Sequence, residues 1–414
     1  MADTKPLVVV LSGIGENNAI NGLMRSLSDY CREGGLEVAY FDLAQFDQKR
    51  FFELMASGQV SFGITYLGIG QSLEVQLKTG GTRNIWEFYN VPLLKLHGDT
   101  PAYFLARHEN VPRNGVNLYG AEEFLAFHRR VFPHQEGLSA IFDPWIIDPH
   151  PEASLDFPLR AKGQLFFIKS GGDPEEVRQL WRNQLPGHLC RHLLNLSEVA
   201  AELGLGLRLP PLHGLVEDYF AGQRIDLRLD APLIAFFVAQ VDDYLRKLKA
   251  TLVGQALVQC PVVIQGNRWE HLDLSRAVAT VRPAQDFAET MAIFQHQLGV
   301  IDLSPNVDTV CHDRLFRAAG TYAFALTNKS GWLEGLHPEL NQAAFTFHPE
   351  AIQEAVHAAL KDPERCVEWG RQFGRAFRSR YRPGDFVDRL CTVADLSRLR
   401  HANPKPLLQP YQVW

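Results

Sequence analysis

An α/β fold built as two Rossmann-like domains, with a helical insertion in the second, is what this chain predicts. Three observations carry that expectation. The 414 residues exceed one ordinary hydrophobic core and suggest two domains of roughly 150–200 residues each. In the first half, continuous apolar runs alternate with helical segments, which is the pattern of a doubly wound parallel sheet. Late in the chain, Gly299 to Gly331 again reads strand, polar turn, helix, strand, polar turn.

The elements follow in order. Pro6–Leu11 (PLVVVL) is apolar throughout, as expected of a strand covered on both faces. A turn bearing Gly13 and Gly15 leads to a helix over Ala19–Cys31, stopped by Gly34-Gly35. Leu36–Phe41 is a second strand, Gln48–Ser57 a second helix and Phe62–Leu67 a third strand. A short helix closes at Trp86–Asn90, and Val91–Leu96 forms a strand ending in His97-Gly98-Asp99. Asp143–Pro158 is rich in proline and acidic residues and is the best linker. The expected domains are therefore 1–158 and 159–395, with 396–414 as a tail. In the second, Gln164–Lys169 is a strand, and Asp173-Pro174 suits the start of a helix. About 197–258 reads wholly helical, strands resume at Pro261–Gln265 and Ala277–Val281, and Pro349–Arg400 is helical. In the Gly299–Gly331 unit, Asp308 and Thr309 stand as N-caps of the helix.

Composition excludes several classes. At 46% hydrophobic and 21% charged the chain is globular, and a net charge of -6 without a basic stripe argues against nucleic acid as a partner. Six cysteines with no CxxC pair read as reduced thiols. With no basic leader and no membrane-length apolar run, the expected location is cytoplasmic. A peripheral membrane contact or a protein partner stays open.

Candidate chemistry collects where strands end. Gly13 and Gly15 begin a GxGxxG pattern that Asn18 breaks. The turn is a weak nicotinamide signature, and otherwise an open loop offering Glu16, Asn17 and Asn18. His97 and Asp99 can each serve as a general base, although Asp99 equally suits a helix cap. Lys169, Ser170 and Gly171 pair a cation with free amides in a tight turn, a phosphate-binding combination. Gly266, Asn267 and Arg268, before Trp269, can meet a base or phosphate. His188 and His192 are spaced for a shared metal but lack a third ligand, so no metal site is expected. Ser304, Asn306, His312, Arg314 and Arg317 bracket the start of the late helix, where unpaired amides and positive charge make an anion site. No GxxxxGK[ST] and no GxSxG occurs.

Taken in order, these blocks resemble a known family. Leu165–Gly172, VVIQGNRW at Val262–Trp269, Gly299–Arg314 and Phe345–Phe377 are similar to the C-terminal domain of GT-B glycosyltransferases. In particular they resemble the bacterial group related to the spore-maturation protein CgeB. The resemblance implies an enzyme without a cofactor that moves a sugar from a nucleotide-diphosphate donor to a hydroxyl of a protein or glycan. Ser304, Asn306, His312 and Arg314 fall where that family contacts the donor; Lys169–Gly171 and Gly266–Trp269 would border the same cleft. The family reads R-x-F-E at the late helix, whereas this chain has Arg314-Leu315-Phe316-Arg317, and Tyr322 stands where the family has glycine. No DxD-type carboxylate pair occupies a credible position, so the expected transfer is metal-independent, with Asp99, Glu16 or His97 as base if configuration inverts. The alternative is a non-catalytic GT-B-like binding or regulatory protein.

Overall fold

The computed structural model describes residues 5–13, 15–109, 112–135, 137–206, 209–227, 230–304 and 306–402. By contact the chain divides into two units, Met1–Trp145 with Tyr381–Trp414, and Ile146–Arg380.

Unit 1 alternates strand and helix: β1 (Leu7–Ser12), α1 (Ala19–Glu33), β2 (Glu37–Asp42), α2 (Gln48–Ala56) and β3 (Val60–Tyr66). A small antiparallel hairpin, β4 (Glu74–Gln76) and β5 (Thr82–Asn84), precedes α3 (Ile85–Phe88). β6 (Leu93–His97), α4 (Leu105–Glu109), β7 (Gly115–Tyr119), α5 (Glu122–Val131) and β8 (Leu138–Ile141) complete the sheet. The strands pair in parallel in the order β2-β1-β3-β6-β7-β8. Val8 to Leu11 are fully buried, which is why β1 is apolar on both faces. The order in which strands are added reverses between β1 and β3, so the carboxyl ends of those parallel strands form this sheet's switch point.

In unit 2, α6 (Phe157–Arg160) leads to β9 (Leu165–Ile168). Among the described residues, the connection to β10 (Val263–Gln265) then carries four helices: α7 (Pro174–Gln184), α8 (Gly187–Gly204), α9 (Leu212–Gly222) and α10 (Ala231–Val258). β11 (Thr280–Arg282), α11 (Met291–His296), β12 (Gly299–Ile301), α12 (Asp313–Thr321) and β13 (Phe324–Leu326) follow. The helices α13 (Gly331–Leu336), α14 (Pro338–Ala343), α15 (Pro349–Lys361) and α16 (Pro363–Arg380) close the unit. Its five strands are parallel in the order β11-β10-β9-β12-β13, so the switch point lies between β9 and β12. The helical insertion, expected from about 197, has that position inside α8. Leu193, Leu196, Ser197 and Ala200 form one buried stripe there, and no boundary interrupts it.

Two features depart from the expected organisation. The last helix, α17 (Pro383–Ala402), packs on unit 1 where the sequence suggested a second-domain helix and a tail. Tyr30 Oη donates to the Tyr381 carbonyl at 2.8 Å, and Ser397 Oγ donates to that of Asn114 at 2.8 Å. Gly34 permits the approach, since a Cβ there would lie 2.5 Å from the Pro383 carbonyl oxygen. The segment expected as a linker is tied down after residue 145. Ile146 and Ile147 are buried, His150 N donates to the Gly320 carbonyl, and Glu152 pairs with Arg371 and Arg375.

Candidate functional site

The carboxyl ends of β9 and β12 bring an unusual density of positive charge to unit 2. Lys169 directly follows β9. Its ammonium is pushed down to about 8, first by burial and then by the like charges of Arg314 and Arg246, with Asp302 and Asp313 opposing. Arg314, in the first turn of α12, donates from Nε to Oδ1 of the fully buried Asp302 at 2.6 Å. Arg246, on α10, donates to Asp242 Oδ2 at 2.7 Å, a pair spaced i,i+4. Thus three cations from three separate elements converge, two of them oriented by carboxylates.

Buried polar atoms around this cluster lack partners. Among the described residues these include Asp302 Oδ2, Arg314 Nη2, Ser304 Oγ and Thr327 Oγ1, all at the ends of β12 and β13 or in the first turn of α12. Ser304 N donates to Asn328 Oδ1 at 2.9 Å, and Asp302 N donates to the Leu326 carbonyl at 2.8 Å, so the two strand ends lie side by side. A native interior satisfies such groups by protein, water or ligand. They lie beside Lys169, Arg246 and Arg314.

Asn306 links this region to α10. Its Oδ1 accepts from Lys249 Nζ at 2.9 Å, while Nδ2 donates to the carbonyl and carboxylate of Asp242 at 3.2 and 3.0 Å. Sequence reasoning missed Asp242, Arg246 and Lys249. The signal was present, because they recur at i, i+4 and i+7 on a helix whose other buried positions are mostly apolar.

The remaining expected donor contacts separate into two groups. Ser170, Gly171, Gly266 and Asn267 build the junction of the β9 and β10 loops. Gly171 N donates to the Asn267 carbonyl at 2.8 Å, Asn267 N to Ser170 Oγ at 3.3 Å, and Ala284 N to Asn267 Oδ1 at 3.1 Å. Arg268 is exposed, in the left-handed region at φ 62. Trp269 is packed beneath this junction, with Nε1 donating to the Lys169 carbonyl at 3.1 Å. At the late helix, Asp308 and Thr309 do not cap α12, which starts at Asp313 after His312. Asp308 turns to the next loop, where its Oδ1 accepts from Gly331 N at 2.7 Å, and Thr309 is exposed. His312 pairs with Asp313; burial alone would raise that carboxyl, but His312, Arg314 and Arg317 hold it well below the usual range.

Arg317, expected as a donor contact, is enclosed elsewhere. Its guanidinium lies 4.0 Å from the Phe287 ring centroid and 4.6 Å from that of Phe294, and Nη2 donates to the Phe287 carbonyl and Thr290 Oγ1, each at 2.8 Å. It pins α12 to the segment before β12. Tyr322 closes α12 at φ 55, a left-handed cap that glycine adopts without strain and that costs other residues about 1 kcal/mol. The Arg378 guanidinium lies 4.8 Å from its ring centroid.

Of the three candidate bases in unit 1, the Glu16 side chain lies outside the described residues. His97 is fully buried, with Nε2 on Asn117 Oδ1 at 3.0 Å and its ring stacked against Tyr119. Burial, with the nearby His108 and Lys95 charges, holds the imidazole neutral. It is a core residue and not an acceptor base. Asp99 is half-buried at the carboxyl end of β6, while the cap of the following turn is made by Thr100. His192, half of the expected empty metal pair, meets Tyr219 Oη at 3.2 Å.

No protein-family model and no curated protein sequence matches this chain. Solved structures do. The class they define is the GT-B architecture of two Rossmann-like units, here with a helical insertion in the second. The T4 phage enzyme BGT, in complex with UDP and Mn2+, matches at 8% identity over 94% of this chain and 99% of its own, with a TM-score of 0.50. The DNA modifying enzyme beta-glucosyltransferase is similar at 8% identity over 94% and 99%, with a TM-score of 0.49. An alpha-glucosyltransferase in complex with UDP and a 13-mer DNA containing a HMU base is similar at 7% over 95% and 100%, with a TM-score of 0.49.

Proposed function

We propose that this chain is a glycosyltransferase, and that unit 2 binds the diphosphate of a sugar-nucleotide donor at the β9–β12 switch point. The observation that carries the reading is the convergence of Lys169, Arg246 and Arg314 at the place where open α/β sheets bind ligands. Holding like charges together in a partly desolvated site is costly, and a multivalent anion reverses the sign of that cost. Arg314 Nη2 supplies a donor with no protein partner. As the glycosidic bond breaks, negative charge grows on the leaving diphosphate, and fixed cations at that point stabilise the transition state. This charge supports a metal-independent transfer.

The acceptor we assign is a hydroxyl on a protein or glycan, with Asp99 of unit 1 as its base if configuration inverts. DNA is the acceptor class that the T4 relative's description suggests. A net charge of -6 is unfavourable for a polyanion. The resemblance to the CgeB-like bacterial group supports the same assignment.

The test is direct. Thermal unfolding of the full chain with nucleoside diphosphates and sugar nucleotides should show a rise in Tm, because a ligand bound to the native state stabilises it. Release of nucleoside diphosphate from the matching donor should persist in EDTA. Binding without turnover on any acceptor would favour a non-catalytic regulator. Transfer to DNA alone would replace the acceptor, and a response only to nicotinamide dinucleotides would remove the donor reading.

A pH dependence follows from Lys169. Its value in the folded chain is about 8, and an anion binds the protonated form. Affinity for UDP should therefore be full below that pH and fall as pH rises through it, by up to about tenfold per unit. Calorimetry at pH 8.5 in buffers of different ionisation enthalpy should show proton uptake on binding. A flat profile from pH 7 to 9 would exclude Lys169 from the site.

A further inference from the structure

Unit 1 buries a polar network that the transfer reaction does not use. β6 and β7 pair with Lys95 opposite Asn117 and His97 opposite Tyr119, so these four side chains share one face of the sheet. The apolar Leu94, Leu96, Val116 and Leu118 alternate with them. The neighbouring strands add Thr65 and Ser139 to the polar face, neither of them titratable. α4 and α5 bring His108 and His128 to Tyr119, and none of the three histidines is more than 3% exposed.

The bonding fits uncharged groups. Tyr119 Oη lies 2.7 Å from His108 Nδ1 and 2.8 Å from His128 Nδ1. A phenol has one proton to donate, so it donates to one imidazole and accepts from the Nδ1–H of the other. Protonating the accepting ring turns its Nδ1 into a donor and strands the phenolic proton. His97 Nε2 meets Asn117 Oδ1 at 3.0 Å, and its buried Nδ1 has no hydrogen-bond partner, so a proton added there gains no acceptor. Lys95 Nζ donates to Gln71 Oε1 at 3.2 Å and to the Arg107 carbonyl at 3.1 Å, which uses both donors of an uncharged amine. Added charge would also be crowded, since the His97 and His108 ring centroids are 4.2 Å apart.

We propose that this network is a proton-operated latch: neutral rings hold α4 and α5 on the β6–β7 face, and protonation releases them together with the turn that carries Asp99 from β6 to α4. The latch is independent of the donor reading. Burial first, and then the positive charges of Lys95, Arg107, Arg129 and the other histidines, hold His108 at about 3 and His128 at about 4, with His97 also well below its usual value. The neutral amides Asn117 and Gln135 oppose this at His97 and His128. An unfolded histidine titrates near about 6.5. Stability is therefore full above that pH and falls as pH drops from it towards the folded values. Lys95, at about 7 in the folded chain against about 10.4 unfolded, weakens unit 1 between those values and no further below them.

Hydrogen exchange of the full chain, corrected for the intrinsic rate at each pH, tests the latch. Between pH 7 and 5 the opening of α4, β7 and α5 should rise about 20-fold for each histidine released, and about 1,000-fold or more for the three together. His128→Gln, which takes up no proton, should cut that rise about 20-fold whatever it does to opening at pH 7. If this variant fails to fold, Tyr119→Phe serves instead. It removes the shared hydroxyl but keeps three titratable rings, so opening should increase at both pH values with the rise between them preserved. Equal opening at pH 7 and 5, a rise in His128→Gln as large as in the parent, or loss of the rise in Tyr119→Phe would overturn the inference.

Discussion

Arg314→Met is expected to weaken nucleoside-diphosphate binding by about 100-fold. Truncating a buried, hydrogen-bonded charge costs about 2–5 kcal/mol, and each 1.4 kcal/mol is tenfold. The variant also leaves the fully buried Asp302 carboxylate without its guanidinium, which by itself costs about 3–5 kcal/mol of stability. The two effects are separable. In the double variant Asp302→Asn/Arg314→Met the uncompensated charge is gone, so much of the stability should return while binding does not. Calorimetric titration alongside thermal unfolding of the single and double variants checks both. Recovery of binding in the double variant would mean that Arg314 serves only to neutralise Asp302.

Gly266→Ala should destabilise unit 2 by about 3 kcal/mol, the upper part of the range for forced overpacking. A Cβ at Gly266 would lie 2.0 Å from the Lys169 carbonyl oxygen, 2.4 Å from its carbon and 2.7 Å from Ser170 N. All three are backbone atoms, so no rotamer change relieves the clash, and β9 and β10 must move apart. Lys169 moves with them, so donor affinity should fall as well. Gly214→Ala in α9 is the control. Nothing lies within 4 Å of its added methyl, and replacing a glycine in the first turn of a helix by alanine should leave stability unchanged or raise it, by at most about 1 kcal/mol. Urea unfolding that shows equal effects for the two glycines would refute the steric argument.

The alternation of strands and helices was legible because burial on both faces of a parallel sheet demands continuous apolar runs, as at Val8–Leu11. Helix starts set by local chemistry were legible too; Asp173 caps α7 by accepting from Glu175 N at 2.8 Å. Starts decided at a distance were not. Asp308 reads as the cap of a helix beginning next to it, yet its carboxylate is drawn to Gly331 N, 23 residues on, and α12 begins later. Arg314 and Lys169 were visible as candidate anion contacts from their positions after strands. Arg317 was not separable from them, because its orientation depends on Phe287 and Phe294, which the helix period does not reveal. His97 illustrates the same limit. A histidine at a strand end suggests a base, and only the surrounding rings of His108 and Tyr119 show it to be core.

The return of α17 to unit 1 imposes an order of assembly. During synthesis, the first 145 residues emerge before the helix that completes their packing. Until residues 381–402 follow, Tyr30 lacks the carbonyl it donates to and the Asn114 carbonyl lacks the Ser397 hydroxyl. Unit 2, contiguous from Ile146 to Arg380, has no such debt to later sequence. The unit translated second can therefore finish folding first, while part of α1 in unit 1 stays uncovered until α17 arrives.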